Sequence, residues 1–571
     1  MRPQQRVFVA AGEPVGDGRL RHRRRHPAGA QIAQHPAAPV ARHLAGIQRE
    51  TFGNPGVVQI VVFVQGCDGG VERRRRRRAR TQRTPQFSFH PAAAGEKLHC
   101  ARIQPIGIKT RSRHLPSVQS PPVQDILVIG GVAAGLSAAS RARRLAPDAR
   151  ITVLERGPEA GYSACGLPYF LAGRIQRLEA LRAHPPEFFR EQRQLQLLTG
   201  HRALEIEPGR HRVRALGPQG ELWLSYDRLI IATGARQRWQ PPATLRNVFS
   251  ANTWEQALEL DTALRAGGLR RIAVVGGGYI GLETATALAQ RGLQVALVHA
   301  HAHLLRGFEP ELTAKLPDSL AAAGIELHLA TRVSGLGGAH GGRILGLETS
   351  QGTIACDALV NCGGLQPEVA LAEAAGCVLG SGGAVAVDER QQTSFSAILA
   401  AGDCAATRHR VSGAPVWVPL GAAANKQGRV AGENAVGRGT GRPARFPGVL
   451  ATLAVPLAGQ EYGRTGLSLE QARSAGFDVA AVTVQGASRA GYMQPDAITC
   501  RLVYQPSTGR ALGVHFLGAP GTVAGRLDTA AAVLTAGLHL DEIEMLDCAY
   551  SPALAPLYEP LLIAAHNARR A

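Results

Sequence analysis

The sequence predicts an α/β protein: two doubly wound, parallel-sheet domains followed by a C-terminal α+β domain. Two observations predict it. A short apolar strand, a glycine-rich turn, a small-residue helix and a second strand occur in that order twice. Beyond about residue 441 the pattern changes to strand-like runs followed by a helix, with no third glycine turn. The length of 571 residues suits three to four domains. With 45% hydrophobic and 19% charged residues, the chain is not disordered throughout. Its longest apolar stretches, about ten residues, fall far short of the ~20 that a membrane helix needs.

The net charge of +21 is concentrated at one end. Residues 1–120 hold 22 Lys and Arg against 6 Asp and Glu, including the run Arg73–Arg78, whereas the rest of the chain is only slightly basic. Nucleic-acid binding by the whole protein is therefore not expected. The segment has little hydrophobic periodicity, and such a charge run is usually solvated. Four lysines beside sixty arginines, with abundant Ala and Gly, suggest GC-rich coding, in which a start site is easily set too far upstream. The leading expectation is a translated non-coding leader. A polyanion-binding or regulatory arm is the different-class alternative, and a transit peptide is weakened by the low Ser content. No apolar core of a signal peptide occurs in the first thirty residues. The nine cysteines are odd in number and contain no Cys-x-x-Cys, which points to a reducing, cytoplasmic setting, and their scatter gives no metal site.

Order is expected from Asp125. Ile126–Ile129 reads as a strand, followed by Gly130-Gly131-Val132-Ala133-Ala134-Gly135, a helix to about Leu145, and Ile151–Leu154 ending in Glu155. Glycines allow the tight bend and the close approach of a pyrophosphate to the helix N-terminus, and the acid accepts hydrogen bonds from a ribose. Val132 stands at the middle glycine position. The second unit has all three glycines: Arg271–Val275, then Gly276-Gly277-Gly278-Tyr279-Ile280-Gly281, a helix to Arg291, and Val295–Val298. No acid ends its second strand. His299-Ala300-His301 stands there, and histidines facing a 2′-phosphate would favour NADPH, although solvent-exposed loop histidines remain the plain alternative.

Tyr226–Ile231 is an apolar strand running into Thr233-Gly234, and Ser396–Ala400 another running into Gly402-Asp403. In the segment Tyr162-Ser163-Ala164-Cys165-Gly166-Leu167-Pro168-Tyr169 a single cysteine stands where a dithiol pair would need a partner with four residues intervening. Ala160 and Phe170 occupy the two such positions.

In this order the motifs resemble the FAD-dependent pyridine nucleotide-disulfide oxidoreductases, and Cys-Gly-Leu-Pro-Tyr resembles their single-cysteine subgroup: coenzyme A-disulfide reductases, NADH oxidases and persulfide reductases. The resemblance covers about residues 124–565. It implies FAD held by Gly130, Gly131, Ala134, Gly135, Glu155, Arg156, Thr233, Gly234, Gly402 and Asp403, with Asp403 on the ribityl chain. The Leu420–Glu433 helix, starting at Gly421 and Ala422, would lie by the flavin pyrimidine edge. NADPH or NADH would bind at Gly276, Gly278, Tyr279, Ile280, Gly281, Glu283 and His299, with Tyr279 covering the flavin until nicotinamide arrives.

The same resemblance implies Cys165 as the redox thiol, held as a thiolate by a depressed pKa. Tyr492 or Tyr550, from the partner subunit, would donate a proton. Arg143 and Arg144, after the first helix, would meet the 3′-phospho-ADP of coenzyme A, though a helix end also favours cations by its dipole alone. Peroxidase-type relatives carry a His in the first turn, where this chain has Ala133. Met493 and Ala164 depart from the Tyr and Asn common at those positions. The expected organisation is a basic extension (1–120), FAD domain (121–240 and 355–440), NAD(P)H domain (241–354) and dimerisation domain (441–571). The expected activity is NAD(P)H-dependent reduction of coenzyme A disulfide or a related small disulfide by a cytoplasmic homodimer. NAD(P)H oxidase and persulfide reductase are the alternatives within the fold.

Overall fold

The computed structural model describes residues 124–571 apart from 243, 339–340 and 438–441. The readings of residues 1–120 lie outside the described residues.

The first sheet is parallel, in the order Ile398–Ala400, Arg228–Ile231, Asp125–Ile129, Arg150–Glu155, Gln196–Thr199. Its strands are apolar on both faces because both faces are covered. Ile126, Val128, Ile151 and Val153 pack on the alanines of the Ala133–Leu145 and Gly421–Val436 helices. Leu127, Ile129 and Leu154 face the other way, onto Ile206, Val213 and Ala215 of a three-stranded antiparallel layer. The two helices touch backbone to backbone. A Cβ on Gly428 would stand 2.1 Å from the Ala134 carbonyl oxygen, and one on Gly432 2.1 Å from that of Ala138. Glycines four apart on one helix face create this contact, which brings both N-termini to the same end of the sheet.

The second sheet repeats the plan: Ile325–His328, Gln294–Val298, Arg271–Val275, Ala358–Asn361, Val248–Ser250, all parallel. Ile272 and Val274 pack on Leu282, Ala285 and Leu288 of the Tyr279–Gln290 helix. The boundary expected after residue 354 falls too early. Ala358–Asn361 pairs with Ile272–Val275 and is part of this second sheet. The short apolar run at 358–361 carries no mark of which sheet it joins, since register is set by partners far away in sequence. A two-stranded antiparallel ribbon, Ala235–Gln237 with Leu365–Pro367, runs between the two parallel sheets.

The C-terminal domain is a five-stranded antiparallel sheet, in the order Leu453–Leu457, Gln460–Gly466, Arg510–Gly518, Ala497–Gln505, Ala480–Ala487. Helices Ala524–Ala536 and Pro560–Ala568 cover it. The strand-like runs expected beyond residue 441 are present as Ala480–Ala487, Ala497–Gln505 and Arg510–Gly518. The Leu453–Gly466 hairpin was not anticipated: Pro456, Gly459, Gly463 and Gly466 break its strand pattern.

Candidate functional site

The first glycine turn joins the strand Asp125–Ile129 to the Ala133–Leu145 helix. Gly130 has φ +106°, and a Cβ there would lie 2.1 Å from the Ala232 carbonyl oxygen. A Cβ on Gly135 would lie 1.8 Å from the Gly130 carbonyl oxygen. Only glycine fits at either position. Val132 at the N-cap supplies no side-chain cap, so the first amides of the helix are free for an anion. Glu155 is buried at the end of its strand. One of its carboxylate oxygens accepts from the Gly131 amide at 2.7 Å and the other from Gly157 at 2.8 Å. Burial pushes its carboxyl pKa up, opposed by these two amides and by Arg156. Ala134 borders the end of the first sheet, where a Cβ on Gly402 (φ +83°) would meet the Ala134 Cβ at 2.8 Å.

The two strand ends named in the sequence reach this same edge. The Thr233 hydroxyl donates to the Glu368 carbonyl at 2.6 Å, and Gly234 (φ +77°) turns the chain into open space. Asp403 follows the Ile398–Ala400 strand. Its backbone carbonyl accepts from Trp417 Nε1 at 2.7 Å, but its carboxylate accepts no hydrogen bond from the described residues. Burial pushes that carboxyl up to about 6. A carboxylate left without a partner among the described residues, at the sheet edge that also carries the first glycine turn, is what a dinucleotide with ribityl hydroxyls would satisfy. The residues present therefore fit such a group.

Cys165 lies in a 3₁₀ turn, Ala164–Gly166, directly before the Leu167–Leu171 helix. A Cβ on Gly421 would stand 3.8 Å from its Sγ. The thiol thus sits at the N-terminus of the 16-residue Gly421–Val436 helix, which has no side-chain cap, with Ala422 in its first turn. All seven described cysteines are free, and the positions five removed from Cys165, with four residues intervening, hold buried Ala160 and Phe170. The expected depressed pKa is not produced by the protein groups. Although Cys165 is exposed, partial desolvation by the surrounding chain, then Glu283 and Asp403, push its thiol up. Among the described residues no cation offsets these carboxylates; a backbone hydrogen bond and the helix N-terminus favour a thiolate.

The second turn repeats the first. Gly276 has φ +117°, and a Cβ on Gly281 would lie 1.9 Å from the Gly276 carbonyl oxygen, while Gly278 opens into free space. The Tyr279–Gln290 helix, with Ile280 in its first turn, has no side-chain cap. The Tyr279 hydroxyl donates to the Pro419 carbonyl at 3.2 Å, just ahead of the helix that faces Cys165. Burial raises the Tyr279 pKa, with Asp403, Cys165 and Glu283 as neighbours, and pushes Glu283 up to about 7. His299 takes the place of Glu155: its Nδ1 accepts from the Gly277 amide at 3.0 Å. That bond requires an unprotonated Nδ1, and burial and His301 lower the pKa further. The accepting Nδ1 and the lowered pKa both favour the neutral ring, opposed by the contact with the His303 backbone. His299 thus stands at the expected position, with its Nδ1 occupied by the Gly277 amide.

Of the two arginines expected at the substrate, one is committed elsewhere. Arg143 donates to the carbonyls of Arg193 (3.1 Å), Gln194 (2.8 Å) and Pro147, so it ties the helix end to the 193–194 loop. Arg144 is exposed, with Arg193, Arg141 and Arg429 close enough to depress its pKa by repulsion after burial. Arg141 is paired with Glu433 at 2.5 Å. Arg193 and Arg429 were missed by sequence reasoning. For Arg429 the signal was available: Gly428 and Gly432 on one face mark the contact that brings it beside the first helix.

Tyr492 and Tyr550 are 76% and 51% exposed on the C-terminal domain, close enough for Tyr550 to raise the Tyr492 pKa. Their two loops are joined by the Ala490 amide donating to the Pro552 carbonyl at 3.1 Å. Neither is among the groups that shift the ionisation of Cys165 in the same chain.

Two free helix N-termini at glycine turns, and a third facing a lone thiol, define a two-dinucleotide oxidoreductase. Residues 124–428 match the family model of the pyridine nucleotide-disulphide oxidoreductases, and residues 455–559 match that family's dimerisation domain. The chain belongs to this family; it is an FAD- and NAD(P)H-dependent oxidoreductase. It is 34% identical over 446 residues to the NAD(P)H coenzyme A polysulfide/persulfide reductase of Pyrococcus horikoshii, covering 77% of this chain and 97% of that one. It is 24% identical over 433 residues to the coenzyme A disulfide reductase of Staphylococcus aureus, covering 75% and 95%. Among solved structures, a NAD-dependent persulfide reductase from A. fulgidus superimposes with a TM-score of 0.74 at 32% identity, covering 78% of this chain and 82% of that one. No helix among the described residues is long and apolar enough to cross a membrane.

Proposed function

We propose that this enzyme is a cytoplasmic homodimer that reduces the sulfur–sulfur bond of coenzyme A disulfide through Cys165 alone. The observation that carries the reading is the Cys165 thiol at the N-terminus of the Gly421–Val436 helix, free like every other described cysteine. The first turn, Glu155, Thr233, Gly234, Asp403 and the start of the Gly421–Val436 helix would hold FAD. The second turn, Tyr279, Glu283 and His299 would hold the nicotinamide nucleotide. NADPH is favoured because no carboxylate stands at the ribose position to repel a 2′-phosphate. When bound, FAD carries the electron pair of NAD(P)H to the cysteine.

The steps assigned to the chain balance as follows. The Cys165 thiolate attacks one sulfur of the disulfide, forming a mixed disulfide and releasing one coenzyme A thiolate. Two electrons then cleave that mixed disulfide, regenerating the Cys165 thiolate and releasing the second thiol. Tyr492 and Tyr550, exposed on the dimerisation domain, would act across the interface on the partner's cysteine, with Tyr550 supplying a proton to the leaving thiolate. Arg144, with Arg193 and Arg429 behind it, would meet the 3′-phospho-ADP end.

A second reading, reduction of a coenzyme A persulfide, is favoured by the 34% identical relative named for that activity. Initial rates with coenzyme A disulfide, coenzyme A persulfide and dioxygen separate the readings. Faster turnover of the disulfide supports the first. A rate on dioxygen above both sulfur substrates would replace both with an oxidase.

A further inference from the structure

Arg464 projects from the Gln460–Gly466 strand of the C-terminal domain toward the nucleotide loop of the second parallel sheet. Its Nη1 donates to the Gly307 carbonyl at 2.7 Å, and its guanidinium lies 5.4 Å from the centre of the Phe308 ring. Its Nε is buried without a partner, and among the described residues no carboxylate lies within salt-bridge distance. Neighbouring Arg501, by contrast, is paired with both Glu309 and Glu311. A buried guanidinium without a counter-charge is rare, because desolvation is not repaid by attraction.

Gly307 belongs to the loop that follows the Gln294–Val298 strand, beginning with His299. In this fold that loop lies against the adenosine end of the dinucleotide. It is fixed at several points. The Leu305 amide donates to the Gly277 carbonyl at 3.1 Å, the Gly277 amide donates to His299, and the Thr331 amide donates to the His299 carbonyl at 2.8 Å. Arg464 supplies the fastening at the far end. Gly307 has φ +90°, and a Cβ there would meet Arg464 Nη1 at 2.2 Å. Loop and arginine are thus fitted to one another. Tyr279 of the second turn and Arg464 are near enough to influence each other's ionisation.

We propose that Arg464 is a positioning residue for the nicotinamide dinucleotide: from the C-terminal domain it holds the 299–308 loop in its binding shape and supplies positive charge behind the turn that receives the pyrophosphate. This inference rests on the assignment of the second turn to that nucleotide. Because the pyrophosphate is common to NADH and NADPH, Arg464 acts on both alike and leaves their discrimination to His299.

The test is the dissociation constant of oxidised, FAD-loaded enzyme for the unreactive NAD+ and NADP+, measured by calorimetric titration. Arg464→Met should weaken both nucleotides about tenfold, with kcat at saturating NAD(P)H unchanged. Arg464→Lys, which keeps charge but loses the planar fork, should recover part of the loss. Gly307→Ala, which displaces the same contact from the loop side, should reproduce the weakening. If Arg464→Met gives no folded holoenzyme, the lysine and Gly307→Ala variants carry the test. Nucleotide affinities within twofold of the parent in Gly307→Ala and in whichever Arg464 variants fold would overturn the proposal. A parent enzyme that binds neither nucleotide would overturn the assignment of the second turn along with it.

Discussion

The Gly277 amide donates to His299 Nδ1 at 3.0 Å in the same place that the Gly131 amide donates to a Glu155 carboxylate oxygen at 2.7 Å. One turn thus uses an anion and the other a neutral ring for the same backbone bond. Burial lowers the His299 pKa, so its folded state favours the neutral ring. The ratio of kcat/KM for NADPH to that for NADH should then stay flat from about pH 8 to about pH 6.5. A ratio that climbs as pH falls through this range would show a cationic His299. Replacing His299 by Glu keeps the acceptor for Gly277 and adds a charge, and should shift the ratio toward NADH about tenfold, or ~1.4 kcal/mol.

Glu283 is raised to about 7 by burial, and its carboxylate helps to hold the Cys165 thiol up. The sign is fixed: removing a nearby negative charge stabilises the thiolate. Glu283→Gln should move the pH profile of Cys165 alkylation by iodoacetamide to lower pH, with the difference developing above about pH 7, where Glu283 is ionised in the parent. A profile unmoved or moved to higher pH contradicts this coupling.

Arg143 and Arg144 are adjacent in sequence and separate in role. Arg143→Ala removes donors from three carbonyls and should cost about 1–3 kcal/mol of stability, read by denaturant unfolding, without changing KM for coenzyme A disulfide. Arg144→Ala should leave stability within about 0.5 kcal/mol and raise that KM several-fold. The reverse pattern would return the substrate role to Arg143.

Tyr550→Phe removes only a hydroxyl from a half-exposed side chain. It should lower turnover about 10²-fold or more without unfolding the protein. Mixing Tyr550→Phe subunits with Cys165→Ser subunits should restore part of the activity, because each mixed dimer then has one intact site. No recovery after verified subunit exchange would assign Tyr550 to its own chain's cysteine or to none.

The glycine turns, Glu155 and the lone Cys165 were legible in the sequence because each is a local pattern with a local physical reason. The Gly421–Val436 helix was legible too, but its meaning was not: its N-terminus reaches Cys165 only because Gly428 and Gly432 let it pack on Ala134 and Ala138. What stayed hidden depends on distant partners. Nothing near Arg143 in sequence marks the 193–194 carbonyls that occupy it, and nothing near Arg464 marks Gly307, 157 positions away. His299 was found by position, but its bond to the Gly277 amide 22 residues earlier was not legible. Ala358–Asn361 was placed on the wrong side of a boundary because an apolar tetrapeptide fits either sheet.

The central claim is that Cys165 alone stores the oxidised state, as a mixed disulfide with the substrate thiol. Anaerobic titration of coenzyme A disulfide-treated, gel-filtered enzyme with NAD(P)H counts the electrons directly. The account predicts two equivalents per FAD for the parent, with one coenzyme A thiol released, and one equivalent with no thiol released for Cys165→Ser. Equal uptake by the two proteins, or two equivalents consumed by Cys165→Ser, would contradict it.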